Sequence, residues 1–201
     1  MNVFQLTAVE LDDEPSRDGS RGTFLRDLGV FTSVENAEEM MRRFVERGNY
    51  GAPWAFEVRE RILDDLAPHG PFGKVSGFRS VRTYFGDGTL NAANDCDDTG
   101  EKRWFGRDAA TIRFRRGDFV SVWAGGSVYP ALVGEIPFTP DRFPKGSQGF
   151  EADDDCYLVY TADGGHDHPF TPYVFPLVGT LPDDVRAKIE AARDREESAD
   201  A

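Results

Sequence analysis

Two glycine pairs constrain this chain more than any other feature. Gly125-Gly126 lies between FVSVW and SVYPALV, and Gly164-Gly165 between CYLVY and YVFPL. Glycine adopts the positive φ that tight hairpin turns need, so a pair between runs of β-branched and aromatic residues predicts a hairpin. Residues 108–177 therefore read as one bent antiparallel unit. A strand opens at Phe119 and Val120 just after Gly117-Asp118, and its return covers 129–136. A third strand covers 156–160, and a closing strand covers 173–177. Short strands separated by glycine turns curl readily, and an SH3-like β-barrel is the expected architecture.

The residues before this unit carry a different rhythm. Residues 2–11 alternate loosely, with Phe4, Leu6 and Ala8 on one face, and predict a strand. Residues 12–22 are polar and predict a loop; residues 23–31 predict a second strand anchored by Leu25, Leu28 and Val30. Thr32-Ser33-Val34-Glu35 matches a capping box, in which the Thr hydroxyl satisfies a free amide and the Glu reaches back. Val34, Ala37, Met41, Phe44 and Val45 then make one helical stripe, and Gly48 supplies a left-handed stop. A strand follows at 55–63. The order strand-strand-helix-strand predicts a small unit with a helix over one sheet face.

Residues 67–77, APHGPFGKVSG, are rich in Pro and Gly and mark the expected domain boundary. The predicted organisation is a ββαβ unit over 1–66, a connector over 67–80, an SH3-like barrel over 81–178, and a C-terminal helix and disordered tail over 179–201. Within the barrel span, Phe85-Gly86-Asp87-Gly88 turns a hairpin. The last helix is expected over 182–195, with Val185, Ile189 and Ala192 sharing a face and 196–201 disordered. The fold class is α+β.

Charge narrows the function classes. The 201 residues carry a formal net charge of −13, a field that repels phosphate backbones and disfavours nucleic-acid binding. Arg113, Arg115 and Arg116 form a local basic strip, which keeps RNA binding as a weaker alternative. The same field favours a basic protein partner. No apolar run approaches the length of a membrane span, and the first residues lack the basic and apolar blocks of a signal peptide; a cytoplasmic protein is expected. Cys96 and Cys156 stand far apart beside aspartates, which is neither a disulfide framework nor a zinc pattern. Those aspartates raise a neighbouring thiol's pKa, which also disfavours either cysteine as a nucleophile. Walker, GxGxxG, G-x-S-x-G and H-E-x-x-H motifs are missing from the sequence. No cofactor is expected.

Two stretches resemble known bacterial sequences. LGVFTSVENAEE, residues 28–39, resembles the strand-helix opening of small bacterial domains of unknown function. FGRDAATIRFRRGDFVSVW, LVGEIPFTPD, DDDCYLVY and GGHDHPFTPYVFPL, within 105–177, resemble an uncharacterised bacterial family. In that family a G-R-x-x-x-x-I-R-F-x-x-G-D-x-V-x-V opening leads to D-D-C-Y and to H-x-H before V-F-P. The opening also resembles KOW- and Tudor-type SH3-like barrels, where F-x-x-G-D-x-V starts the first long strand. The resemblance implies that fold and carries no catalytic role.

Two readings of function follow. The first is a non-enzymatic module that binds a protein partner through an aromatic groove of Trp123, Tyr129, Tyr173 and Trp104, each beside a turn or loop. The alternative is a metal-dependent hydrolase. His166 and His168 at i, i+2 can face one side, and Asp155, or its neighbours Asp153 and Asp154, would complete two imidazoles and a carboxylate.

Overall fold

The computed structural model describes residues 2–48, 51, 53–62, 78–93, 95–96, 102–103, 114–124, 126–138, 156–169 and 171–199. Strand β1 (Asn2–Leu11) lies between β2 (Arg21–Phe31) and β3 (Ala55–Ile62), antiparallel to both. Helix α1 (Val34–Arg47) connects β2 to β3 and covers one face. Its start is set by Ser33, extended at φ −151°, whose hydroxyl accepts the amide of Asn36 at 3.2 Å. The cap is thus one residue later than expected; Thr32 instead accepts from the Asn36 side chain at 3.3 Å. Gly48 ends the helix at φ 60°, the left-handed stop read from the sequence. Ala37 and Met41 bury against Leu6, Ala8, Phe56, Val58 and Tyr84. Tyr84 and Arg82 also clamp the helix, each donating at 2.6 Å to Glu38 Oε1.

The hairpin of β4 (Phe78–Phe85) and β5 (Leu90–Ala93) extends this same sheet. β4 pairs with β3 from Ala55↔Phe85 to Arg61↔Phe78. Strand pairing therefore crosses the expected boundary at 67–80. The free amides and carbonyls of β3's edge attract any strand that can reach them, and the 81–90 segment reaches them.

After a small ladder of β6 (Asp95–Cys96) and β7 (Lys102–Arg103), the second half is built on β8 (Phe119–Ala124) and β9 (Ser127–Phe138). β10 (Cys156–Thr161), β11 (His166–Asp167) and β12 (Val174–Pro176) complete it, and α2 (Asp183–Ala199) follows. β9 pairs with β8 over 127–132 and with β10 over 131–138, and its first residues pair with Arg21 and Gly22 of β2. The path is β11-β10-β9-β2-β1-β3-β4-β5, with β8 and β12 branching from β9.

The α+β class and the mostly antiparallel pairing follow the sequence reading. The closed SH3-like barrel does not: among the described residues the sheet stays open. The start of β9 hydrogen-bonds to β2 of the N-terminal half, so the sheet runs on into the strands of that half instead of returning to itself.

Alternation in β10 separates two cores. Leu158 and Tyr160, with Leu132, pack on Val185, Ile189 and Ala192 of α2 and on Leu181 just before it. Tyr157 and Val159, with Val120, Val122 and Val133, face the other way. A further cluster joins the halves: Val9 and Ala55 meet Trp123, Val128 and Phe175. Phe175 is fully buried, with Trp54 at 4.4 Å and Phe85 at 6.0 Å between ring centroids. Phe175→Ala is expected to destabilise the protein by about 3–5 kcal/mol, the usual cost of deleting a core aromatic. Urea unfolding followed by tryptophan fluorescence measures it, and a loss below about 1 kcal/mol would show that this cluster does not join the halves.

Candidate functional site

The sequence chemistry of three turns shapes the site. Asp18-Gly19-Ser20, Asp87-Gly88-Thr89 and Asp163-Gly164-Gly165 repeat one pattern: the Asp carboxylate accepts the amide two residues on, at 3.0, 2.9 and 3.2 Å. The central glycines have φ of 80°, 83° and 91°, the left-handed region closed to most side chains. Hydroxyls reinforce each carboxylate. Ser20, Thr89 and Thr161 donate to Asp18, Asp87 and Asp163. These hydroxyls first, and the turn amides second, hold the three carboxyls below the usual range, so each carries its negative charge.

Two of these turns flank an open cleft of about 380 Å³. The turn between β1 and β2 gives Asp18 and Ser20. β9 gives Ser127, Tyr129 and Pro130. The β10–β11 hairpin gives Thr161, Ala162, Asp163, His166 and Asp167. Gly19 lets the first turn lie against the floor, since a Cβ there would meet Pro130 at 3.1 Å. Tyr129 donates its hydroxyl to Asp167. Burial, and then this carboxylate, push the phenol well above its ordinary pKa, so it stays a neutral donor. Three aspartates thus line one recess together with a tyrosine, a proline and an alanine. Such a recess attracts a cation and repels phosphate or carboxylate.

The residues singled out by sequence divide between the cleft and the core. Trp123 is 6 % exposed and stacks edge-on against Trp54 at 6.4 Å and Tyr173 at 5.7 Å. Tyr173 donates its hydroxyl to Glu57 at 3.2 Å. The expected groove is therefore corrected: Trp123 and Tyr173 belong to the joint between the halves, and Tyr129 lies elsewhere. Strand register is the reason. Trp123 pairs with Val128 and Val122 with Tyr129, so Trp123 and Tyr129 point to opposite faces of the sheet. Trp104 lies outside the described residues.

His166 and His168 do come together, with ring centroids 5.1 Å apart and edge-on. His166 Nδ1 lies 2.7 Å from the Glu196 carboxylate, which can only accept, so Nδ1 carries a hydrogen. Asp155 lies outside the described residues, and among the described residues no group of three His, Cys, Asp or Glu side chains gathers as a metal site. Asp18, Asp163 and Glu196 were missed. The recurrent Asp-Gly turn was the available signal for the first two; Glu196 fell in the expected disordered tail.

A second polar feature lies at the joint. Glu57 is fully buried and takes a hydrogen bond from Arg59 at 2.6 Å. Its alternating place in β3 gave no sign of this, because burial of a strand's polar face is decided by what packs on it.

No helix among the described residues is long and apolar enough to cross a membrane. No protein-family model matches the chain, and no curated protein or solved structure matches it either.

His168 makes stability pH-dependent. Burial first, and then the neighbouring His166, lower its pKa from 6.5. The folded state therefore binds fewer protons than the unfolded chain. The stabilisation is present above the unfolded value and is lost as pH falls through the folded one. Urea midpoints are expected to fall between about pH 7 and pH 5, around the unperturbed His value. His168→Gln is expected to flatten that slope; an unchanged slope would place the titration elsewhere.

Proposed function

We propose that this protein is a protein-binding module whose acidic cleft receives a cationic side chain from a basic partner segment. The carrying observation is the convergence of Asp18, Asp163 and Asp167 on an open recess beside Tyr129. Two of these carboxylates are already fixed by their own turns, so little ordering is needed on binding. The net charge of −13 speeds encounter with a basic partner. An arginine side chain suits the recess best: its planar guanidinium can bond carboxylates while its stem lies on Tyr129 and Pro130.

This reading keeps the expectation of a binding module in the cytoplasm and moves the contact surface from an aromatic groove to the cleft. The SH3-like likeness of the C-terminal strands is part of the proposal, since SH3 domains dock extended partner segments.

An arginine-rich peptide titrated at low salt is expected to bind. The double variant Asp18→Ala, Asp167→Asn is expected to weaken it by about tenfold, since each rim charge contributes up to about 1 kcal/mol. Calorimetry measures both. Affinity that is indifferent to the two substitutions and to added salt would remove the cleft from the reading.

A further inference from the structure

The end of α2 is held differently from the rest of the helix. Leu181 just before the helix, and Val185, Ile189 and Ala192 within it, fix its beginning and middle to the sheet by apolar burial. Beyond Ala192 the apolar anchors stop, and three polar links take over. Arg195 Nη2 donates to Gly164 O at 3.2 Å. Glu196 accepts from His166 Nδ1 at 2.7 Å. Glu197 pairs with Arg116 at 2.6 Å.

The sequence of this turn is unfavourable to a helix end. Glu196 and Glu197 sit at the negative pole of the helix, where carboxylates are repelled, and no basic residue follows Arg195. Two groups from elsewhere in the fold, His166 and Arg116, pair with these carboxylates, while Arg195 reaches out from the helix itself. Gly164 is shaped for the contact: a Cβ there would meet Arg195 Nη2 at 2.8 Å. Two of the three links land on the β10–β11 hairpin, whose Asp163, His166 and Asp167 line the cleft.

The geometry points to a regulatory strap: the last turn of α2 holds the hairpin tip in place and thereby sets the affinity of the cleft. This rests on the cleft being the binding site. Attached, the strap fixes His166 by Glu196 and the turn carbonyl of Gly164 by Arg195, so the wall is ordered before a ligand arrives. Detached, the tip must be ordered at the moment of binding, and affinity falls. By linkage, a ligand that needs the ordered wall favours the attached strap.

The test is the double variant Arg195→Ala, Glu196→Ala in the full chain. It leaves net charge unchanged, and alanine is the best helix former, so only the links are lost. Amide hydrogen exchange of Gly164 and Gly165 is read first, with the Glu39→Ala, Arg43→Ala pair on α1 as a charge-neutral control. The strap variant is expected to exchange about fivefold faster at these two amides, and to bind the arginine-rich peptide about threefold more weakly, the scale of two partly exposed polar links. The control should change neither. Unaltered exchange at the hairpin overturns the strap whatever the peptide does. Faster exchange with unaltered peptide affinity overturns its regulatory role. Failure of the unaltered protein to bind peptide is a different result: it removes the cleft reading, and with it the regulation, while the exchange still shows whether the turn is held.

Discussion

Strand β9 is the constraint on which the rest depends. It pairs with β8 along one stretch and with β10 along another, and its first residues reach β2 of the N-terminal half. A strand shared in this way cannot be shifted by one residue without turning its side chains to the wrong faces. Leu132 must face α2 while Ala131 and Val133 face the opposite core. The same register sends Val128 to the joint and Tyr129 to the cleft. Core, joint and candidate site are consequences of one alignment.

The joint itself mixes two kinds of force. Trp54, Trp123 and Phe175 bury large apolar area and supply most of the attraction. Glu57, Arg59 and Tyr173 add a buried polar arrangement whose geometry is more demanding. A buried ion pair gains little net stability, but breaking one partner away leaves an uncompensated charge. The apolar part holds the halves together, and the polar part makes the loss of either of its partners costly.

The cleft lies where two tight turns meet the start of β9, and its Tyr129 and Ala162 pack on the edges of the two cores. Asp18 and Asp163 stay ionised because neighbouring hydroxyls first, and turn amides second, stabilise the charged form. The arrangement is rigid where it must carry charge and anchored by α2 at the hairpin that completes it. Acidity of the whole chain and acidity of this recess act in the same direction.

Local signals in the sequence were enough for the elements themselves. The apolar stripe and Gly48 determined α1, alternation determined β10, and glycine at Gly126 and Gly164 determined two hairpin turns. Each depends on residues a few positions apart, where propensity and sterics act directly. Sequence alone did not determine which strand pairs with which. The 81–90 hairpin joined β3, β9 reached β2, and Trp123 turned inward, because backbone hydrogen-bonding edges are alike and only packing discriminates among them. The last turn of α2 shows the same division. Its own residues argue against a helix there, and His166, Gly164 and Arg116, all distant in the chain, hold it in place.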